Sequence, residues 1–466
     1  MTTVGLYAKI AVIFMQKHKF RLSVWQTLAL GYLIAILIGS VLLILPFATA
    51  EGEHTSYIGA LFTATSATCV TGLTPYVTGV HWTKFGQIII LLLIQFGGLG
   101  FMTFVSSIIM MFRKEMGLGS RRALMTSAGS DKFSGLRYLV LSILIGSLIF
   151  ETLGAVLLSI QFVQDFGWGD GIYFAVFHSV SAFCNAGFDL LGGLSLVSYA
   201  TNPLVSLTIC GLIILGGLGF CVWGDILRCR FNFKKFQLNT KVILFTSALL
   251  VFVPTFMFFG FEWNESFANT GYNFGEKLLI SFFNAVTPRT AGFYTTDPAT
   301  LSDSGYLLTV VLMFIGGSSG STAGGIKVGT FAVIVMGMVD VFRGVRDINI
   351  GKKRIESTLL SQALAILAAC LMLVLCATLA ICAIEPAEIV SADVGLFKAV
   401  LYECVSAIGT VGLSMSLTPH LSAYSLTILI IMMYAGRVGI LTLALALAKK
   451  RKTPDTRYPV DTLLIG

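Results

Sequence analysis

The apolar residues of this chain fall into runs that repeat one order, long, short and long, four times along 466 residues. A long run has the roughly 20 residues that an α-helix needs to cross a membrane, whereas runs of about 10–14 residues are typical of re-entrant segments. The pattern therefore predicts eight spanning helices and four short re-entrant helices. The four sets of runs cover about 24–47, 57–69 and 85–112; 138–161, 171–184 and 204–227; 241–260, 275–287 and 305–342; and 357–384, 394–408 and 422–448.

The composition agrees with a chain that lies mostly in lipid. Hydrophobic residues make up 56% and charged residues 12% of the sequence, against roughly 25% charged residues in a typical soluble protein. The first apolar run is too long for the core of a cleavable signal peptide, so we interpret it as the first spanning helix. The nine cysteines show no paired spacing, and only five histidines are present. The sequence thus predicts neither a disulfide framework nor a metal cluster nor a catalytic site.

The positive charge of the chain is concentrated in a few segments. The net charge is +8, and 25 of the 31 Lys and Arg residues lie in the N-terminal tail, in residues 113–137, 228–241 and 343–354, and in the C-terminal tail. Because cytoplasmic segments of membrane proteins are enriched in Lys and Arg, this pattern places the basic segments and both termini in the cytoplasm. The charge therefore indicates topology, and nucleic acid is not expected as a partner.

One glycine-containing segment occurs once in each set, directly after the short run. Each copy has a small residue before the glycine and Leu or Phe after it. Non-helical backbone at membrane depth is tolerated only where it is buried or lines water, so four such loops imply a polar path. The copies are Val70-Thr71-Gly72-Leu73, Asn185-Ala186-Gly187-Phe188, Thr290-Ala291-Gly292-Phe293 and Thr410-Val411-Gly412-Leu413.

The four loops are expected to meet on one axis. Each set contains two spans and enters the membrane from the same side, and repeats of like topology are related by an axis along the membrane normal. Glycine lets successive carbonyl groups turn toward that axis, and rings of backbone carbonyls can hold a dehydrated cation. The C-terminus of each short helix adds partial negative charge. The polar residues expected to anchor the loops are Thr71, Asn185, Thr290 and Thr410.

A second glycine cluster follows each loop glycine by 24 to 29 residues, beginning at Gly97, Gly216, Gly316 and Gly436. This spacing lets the chain leave the loop, turn and return to mid-membrane. Small residues there allow helix backbones to approach closely. We interpret the first two clusters, at Gly97 and Gly216, as sites of close helix packing.

The third cluster extends into a stretch that the other sets lack at the matching place. Its poor helix propensity predicts a break in the last long run of the third set. The glycine spacing approaches that of a nucleotide P-loop, but the lysine comes one residue late and the segment lies inside an apolar span. A packing kink and a flexible gate below the four loops both stay open. The residues are Gly316, Gly317, Ser318, Ser319, Gly320, Ser321, Thr322, Ala323, Gly324, Gly325 and Lys327.

Several charged or titratable residues lie inside apolar runs, where burial is costly and indicates a role. Arg437 falls in the fourth glycine cluster, at the depth of the interrupted segment, and is expected to act as a pore barrier or to anchor that segment. Glu403 is expected either to pair with Arg437 or Arg289, or to be a satisfied carboxyl group behind its loop. His178 is expected to be structural, and no partner is predicted for Glu151.

Over about residues 24–448, these features resemble the Trk/Ktr/HKT superfamily of potassium and sodium transporters. The chain is most similar to the bacterial KtrB-type membrane subunit, because Trk-type subunits carry two additional N-terminal helices. The resemblance implies a K⁺ selectivity filter made of each loop glycine and the two residues before it. Some sodium-selective plant relatives have serine at the first of these glycines, so Gly72 favours potassium.

The resemblance also implies a function for the remaining parts. The segment from Gly316 to Gly325, with Lys327, is the expected gating loop, and Arg437 is the expected barrier beside it. The expected partners are a second copy of the chain in a homodimer, a cytoplasmic ring of RCK-type nucleotide-binding subunits, and membrane lipid.

We therefore expect an all-α integral protein of the bacterial plasma membrane that passes K⁺ inward and carries no cofactor of its own. It is not expected to be an enzyme. A Na⁺-permeable or Na⁺-coupled transporter of the same superfamily remains an alternative, as does an alternating-access carrier, which inverted repeats would favour. The expected segments are a cytoplasmic tail at 1–23, four repeats at 24–112, 137–227, 239–343 and 357–448, and a cytoplasmic tail at 449–466.

Overall fold

The computed structural model describes residues 23–100, 103, 136–268, 270–344, 348–350, 353–391 and 394–447. Nearly all of the two predicted tails and most of the basic segment 113–137 lie outside these residues. The described elements are, in chain order, α1 (Val24–Leu43), α2 (Tyr57–Cys69), α3 (Thr78–His81), α4 (Lys84–Leu99), α5 (Leu136–Phe183), α6 (Pro203–Leu218), α7 (Phe220–Arg228), α8 (Leu238–Phe261), α9 (Phe274–Val286), α10 (Asp303–Phe314), α11 (Val328–Phe342), β1 (Ile348–Ile350), β2 (Lys353–Ile355), α12 (Ser357–Ile384), α13 (Leu396–Gly409), α14 (Ala423–Val438) and α15 (Ile440–Leu447).

The regular structure of the described residues is helical apart from one short hairpin. β1 and β2 pair antiparallel with Ile348 opposite Ile355, at the end of the basic segment 343–354. The prediction of a helical protein is confirmed for the described residues. The hairpin is a feature that the sequence did not indicate.

The short helices lie at the centre, and the long helices surround them. Ten of the 13 residues of α2 are buried, as are ten of the 14 residues of α13. By contrast, Ile38 on α1, Phe245 on α8 and Leu379 on α12 are 57%, 71% and 70% exposed. Exposed apolar side chains are stable where the surrounding solvent is lipid. The core therefore sits around the ends of the short helices, where the glycine segments begin.

Polar residues set the start of α4, α6, α10 and α14, the helices that carry the chain back into the core after each glycine loop. α4, α10 and α14 begin after Thr83, Ser302 and Ser422, whose side-chain oxygens accept the backbone N–H three residues later at 3.3, 3.0 and 3.4 Å. α6 begins after Asn202, whose side-chain oxygen accepts the N–H of Leu204 at 3.0 Å. These N-caps satisfy N–H groups that the first turn of a helix leaves without a partner. Each cap thereby fixes the point at which the chain re-enters the helical core.

α5 joins two predicted elements, the long run at 138–161 and the short run at 171–184. The helix is kinked at Gly167, where φ is 79° and ψ is 174°. Glycine reaches this conformation without the steric cost that a side chain would add. The kink separates the long part of α5 from the short part that leads into the second glycine loop.

The last long helix is broken in more sets than the sequence predicts. Gly100, Gly219 and Gly439 have positive φ angles of 83°, 95° and 89° and stand at the ends of α4, α6 and α14. α6 and α7 are bent by 90°, and α14 and α15 are bent by 92°. The sequence predicted the break in the third set but did not indicate those in the second and fourth sets. The last glycine of each cluster takes a backbone conformation that other residues rarely adopt.

The same clusters bring the broken helices against the ends of the short helices. A Cβ atom built on Gly97 would collide with the carbonyl oxygen of Thr68, and one built on Gly216 would collide with that of Phe183. The predicted close approach of backbones at the first two clusters is thus confirmed. A Cβ atom built on Gly436 would likewise collide with the carbonyl oxygen of Ile408.

Four described helices are long and apolar enough to cross a membrane, namely those that contain Trp25–Leu43, Val140–Phe183, Leu238–Phe261 and Thr358–Ile384. The bent pairs α6–α7 and α14–α15 raise this number to as many as six if each pair forms one span. α4, α10 and α11 are shorter apolar helices. The predicted total of eight spans requires α4 to continue beyond the described residues and α10 and α11 to form one broken span.

Gly216→Ala tests the close approach, with Gly211→Ala on the same helix as its control. We expect Gly216→Ala to destabilise the protein by about 1–3 kcal/mol, the usual cost of overpacking. A Cβ atom on Gly211 meets nothing within 4 Å, so that change should be neutral or stabilise α6 by up to about 1 kcal/mol. Thermal unfolding of the purified protein in detergent measures both. Equal melting temperatures for the two variants would contradict the packing described above.

Candidate ion pathway

Three of the four short helices end in the same hydrogen-bond pattern. At the end of α2, the N–H of Val70 donates to the carbonyl of Ala67 at 3.1 Å, and the N–H of Thr71 donates to the carbonyl of Ser66 at 2.8 Å. The equivalent bonds follow α5 and α13, where Asn185 and Thr410 take the place of Val70. This is the Schellman arrangement, which requires a left-handed residue just after the helix.

The left-handed residue is not glycine in any of the four loops. Val70, Asn185, Thr290 and Thr410 have φ angles of 57°, 58°, 67° and 51°. Three of them are β-branched, and a β-branched residue in this region is a steric outlier. Such strain persists only where the surrounding structure enforces it, and it clusters at functional sites. In the sequence, the feature that points to these strained residues is the fourfold recurrence of the glycine-containing segment.

The four loop glycines form a closed ring. All four have positive φ, between 69° and 98°. A Cβ atom on Gly72, Gly187 or Gly292 would lie 2.6, 2.8 or 2.6 Å from a carbonyl oxygen of the next loop, and one on Gly412 would collide with the carbonyl oxygen of Thr71 in the first loop. The contacts run from the first loop to the second, third and fourth and back to the first. The predicted segments therefore meet at one place, which we call the glycine ring.

Serine side chains on the short helices hold the loops. The N–H of Gly72 donates to Ser66 Oγ and the N–H of Gly412 donates to Ser406 Oγ, each at 3.0 Å. Ser181 Oγ donates to the carbonyl of Phe188 at 2.8 Å. These three serines all stand six residues before a ring glycine, a regularity that the sequence analysis missed.

The predicted anchoring by the residues that flank the glycines is wrong for two of them. The hydroxyl groups of Thr71 and Thr410 are buried and have no hydrogen-bond partner within the described part of the chain. The backbone of these two residues shapes their loops, but their hydroxyl groups do not anchor the loops through hydrogen bonds.

A cavity of about 240 Å³ opens on one side of the glycine ring. Its lining includes the four ring glycines, Tyr76, Asp189, Tyr294 and Ser414. Asp189 stands two residues after its ring glycine, and its Oδ1 accepts the N–H of Leu191 at 3.1 Å. The other loops have Thr74, Tyr294 and Ser414 at the matching position. One carboxyl group therefore breaks the fourfold pattern at this mouth.

Residues 315–327, which we call the inner loop, separate α10 from α11. The two ends of the loop meet, because the N–H of Gly316 donates to the carbonyl of Ile326 at 2.9 Å, and that of Ile326 donates to the carbonyl of Phe314 at 3.2 Å. A Cβ atom on Gly324 would collide with the side chain of Thr410. The predicted break in the third set is confirmed, and the inner loop lies directly against the fourth glycine loop.

The inner loop is bonded to the second set. The N–H of Ser318 donates to the carbonyl of Gly217 at 2.9 Å, and the N–H of Thr322 donates to that of Gly216 at 3.3 Å. The hydroxyl of Thr322 also donates to the carbonyl of Phe183 at 3.1 Å. Small residues at 216 and 217 leave these carbonyls open to the loop.

Two cationic side chains bind backbone carbonyls at the inner loop. The guanidinium of Arg437 donates to the carbonyl of Thr322 in the loop and to that of Gly97 in the first set. Lys327 Nζ donates to the carbonyl of Ala323 at 2.8 Å. Both cations also line a second cavity of about 220 Å³ beside the loop. Arg437 thus links three sets, which matches the expected anchoring of the loop.

Two buried glutamates that the sequence singled out bind neutral side chains. Oε1 of Glu403 accepts the hydroxyl of Thr418, so the expected pairing with Arg437 or Arg289 is wrong. The alternative, a satisfied carboxyl group, holds for this oxygen only, because Oε2 has no hydrogen-bond partner among the described residues. Glu151 accepts the side-chain amide of Gln95 at 3.0 Å.

Arg289 and His178 likewise serve local structure. Arg289 donates to Ser247 Oγ at 3.3 Å. His178 Nδ1 lies 2.7 Å from the carbonyl oxygen of Phe174, and its Nε2 accepts the N–H of Leu190 at 3.4 Å, as expected of a structural histidine.

The ligands that the glycine ring offers to a cation are backbone carbonyl oxygens. Among the described residues, no three His, Cys, Asp or Glu side chains come close enough to hold a metal ion. Rings of backbone carbonyl oxygens can replace the water shell of a cation, and glycine at these positions lets the four loops approach one another.

The TrkH family of cation transport proteins matches residues 26–456 of this chain. The chain belongs to that family. It is 40% identical over 456 residues to the potassium/sodium uptake protein NtpJ of Enterococcus hirae, covering 97% of this chain and 100% of that protein. It is 39% identical to the Ktr system potassium uptake protein B of Bacillus subtilis, covering 95% of this chain and 96% of the relative. The resemblance to the Trk/Ktr/HKT superfamily is therefore confirmed.

A solved structure of a TrkH-family protein shares the fold. The potassium transporter TrkH from Vibrio parahaemolyticus aligns with a TM-score of 0.68 and 20% sequence identity, over 93% of this chain and 86% of that chain. At this identity the likeness supports the arrangement of the helices alone.

Proposed function

We propose that this chain is the ion-translocating membrane subunit of a bacterial potassium uptake system. The observation that carries the proposal is the closed glycine ring, in which four loops with a left-handed residue and a positive-φ glycine face one another. The names of the Enterococcus hirae and Bacillus subtilis relatives, which describe potassium uptake, support the same function.

The glycine ring acts as the selectivity filter. Four repeats of two spans and one re-entrant helix surround a central pore, and each contributes one loop. K⁺ leaves its water shell for the carbonyl oxygens of the loops, and the C-terminal ends of the short helices add negative potential. The filter residues are Val70, Thr71 and Gly72; Asn185, Ala186 and Gly187; Thr290, Ala291 and Gly292; and Thr410, Val411 and Gly412.

The cavity beside Asp189 is the outer mouth. A single carboxylate near the ring raises the local concentration of cations without occupying the filter itself. The positive-inside distribution of Lys and Arg supports this orientation, with both termini in the cytoplasm.

The inner loop closes the pore below the filter. It lies against the fourth glycine loop and is bonded to Gly216, Gly217 and Arg437. Lys327 and Arg437 place two positive charges beside the path, which raises the barrier to a cation. Opening therefore requires the loop to leave Arg437 and the second glycine cluster.

The active form is a homodimer with one pore in each chain, bound to a cytoplasmic ring of RCK-type subunits. The name of the Bacillus subtilis relative, a Ktr system protein, supports a multi-component assembly. The basic segments 228–241 and 343–354 face that ring. K⁺ is the transported ion, and the chain itself requires no cofactor.

Sodium transport is the second candidate function, since the Enterococcus hirae relative is named a potassium/sodium uptake protein. Glycine at all four ring positions favours the larger K⁺ ion. An alternating-access carrier is the third candidate, and the parallel order of the four sets counts against it.

Gly292→Ser tests the filter. The expected result is that wild type restores growth at low K⁺ to a bacterium that lacks its own K⁺ uptake, when a matching cytoplasmic partner is co-expressed. Gly292→Ser and Gly72→Ser should each raise the K⁺ concentration needed for half-maximal growth by about tenfold or more, equivalent to about 1.4 kcal/mol of lost binding. Gly260→Ser is the control, because a Cβ atom on Gly260 meets nothing within 4 Å. Full rescue by both ring variants would reject the filter assignment.

Removal of residues 318–323 tests the gate. The deletion takes away the loop carbonyl that Arg437 binds, so ⁸⁶Rb⁺ influx into proteoliposomes should rise several-fold. Arg437→Gln, which keeps a hydrogen-bonding side chain but removes the charge, should raise influx by a smaller factor. Lys277→Gln serves as the control, since Lys277 stacks over Trp263 at 4.2 Å, away from the glycine ring. Unchanged influx through a monodisperse deletion variant would refute a gating role.

A further inference from the structure

A groove of about 650 Å³ lies between α8 and α11, outside the proposed ion pathway. We call it the α8–α11 groove. Its lining is mostly aromatic and aliphatic, with Lys241 and Gln237 at one end. The lining residues are Phe233, Phe236, Gln237, Leu238, Lys241, Val242, Phe245, Thr246, Leu249, Phe331, Ala332, Val335 and Met336.

The walls of the groove expose large apolar side chains. Phe245 is 71% and Leu249 is 48% exposed on α8, and Val335 is 37% exposed on α11. The rings of Phe233 and Phe236 pack edge to face at 5.6 Å at the Lys241 end. The groove therefore offers a hydrophobic channel that ends at an aromatic pair.

The same end of the groove is strongly basic. Residues 228–241 contain five Lys and Arg residues and no Asp or Glu. Lys241 Nζ lies 5.5 Å from the centre of the Phe233 ring and donates to the carbonyl of Lys234 at 3.2 Å. Lys234 and Lys235 are exposed on the turn that carries Phe233. The end of the hydrophobic channel is therefore marked by Lys241, and two exposed lysines lie on the adjoining turn.

The dimensions match one leaflet of a bilayer. The part of α8 that lines the groove runs from Leu238 to Leu249, which is about 18 Å of helix at about 1.5 Å per residue. Half of a hydrocarbon core is about 15 Å thick. A lipid whose headgroup sits at the lysines would therefore lay an acyl chain along Phe245 and Leu249.

We propose that the α8–α11 groove binds an anionic phospholipid. The lysines pair with the headgroup phosphate, and the hydrophobic channel takes an acyl chain. Basic pockets between membrane helices on the cytoplasmic side are suited to acidic headgroups. A second copy of the chain fits less well. A two-fold interface through this groove brings the same patch of both copies together and would set one lysine cluster beside the other.

The bound lipid contacts the start of α11, the helix that follows the inner loop. α11 begins at Val328, directly after Lys327, and Phe331 lies on its first turn within the groove. Lipid binding is measured without transport, so the test below stands apart from the proposed transport function.

Native mass spectrometry of the delipidated protein in detergent tests the proposal. Phosphatidylglycerol and phosphatidylcholine with the same acyl chains are added separately, and lipid-bound and free protein are counted. We expect one phosphatidylglycerol per chain to bind in preference to phosphatidylcholine. Each lysine near an anionic headgroup contributes about a fivefold factor, so Lys234→Gln/Lys235→Gln/Lys241→Gln should weaken phosphatidylglycerol binding by roughly a hundredfold and leave phosphatidylcholine binding unchanged.

A matched pair of variants tests the hydrophobic channel. Leu249→Trp fills it and should abolish the bound phosphatidylglycerol, whereas Phe256→Trp should leave it in place, because Phe256 is 67% exposed on the same helix but outside the groove. Size-exclusion chromatography checks that all variants are folded. Equal binding of the two lipids to wild type would overturn the proposal, as would unchanged phosphatidylglycerol binding to the triple variant. Conversion of dimers to monomers by Leu249→Trp, without phosphatidylglycerol bound to wild type, would assign the groove to a second copy.

Discussion

The rest of this structure depends on one constraint, which is that backbone carbonyl groups outside any helix must lie within an apolar protein. Non-helical backbone at membrane depth is stable only if it is buried in protein or lines a polar path. The four glycine loops meet this condition by facing one another in a ring, and three of them hold their shape through Schellman ends and serine hydroxyls such as Ser66 Oγ. The short helices are buried because they must bring the loops to this point, and the long helices then form the apolar surface.

The second glycine clusters serve the ring in two ways. Gly97 and Gly216 let the following helices press against carbonyl oxygens at the ends of the short helices. Gly219 and Gly439 then break those helices at positive φ and turn the chain by about a right angle. Close packing and helix termination thus come from glycines only a few residues apart. The inner loop packs against the second of these clusters, at Gly216, Gly217 and Gly219.

At the inner loop, buried charge is held by backbone carbonyl groups. Arg437 and Lys327 donate to carbonyls of Thr322, Gly97 and Ala323, and no carboxylate takes part in these bonds. A charge held by carbonyl dipoles keeps its positive field, which an ion pair with Glu403 would have cancelled. The arrangement therefore anchors the loop and supports the proposed electrostatic barrier beside the path.

The sequence by itself determined the membrane class, the four sets of runs and the positions of the ring glycines, because hydrophobic run length and glycine placement are local properties. It also located the break at Gly316–Gly325, where helix propensity is poor. Only the tertiary structure decided the partner of Glu403, the serine anchors of the loops and the breaks at Gly219 and Gly439. Those features depend on which groups meet across sets. A buried carboxyl group or an open carbonyl takes the nearest donor in space, and its neighbours in sequence do not specify that donor.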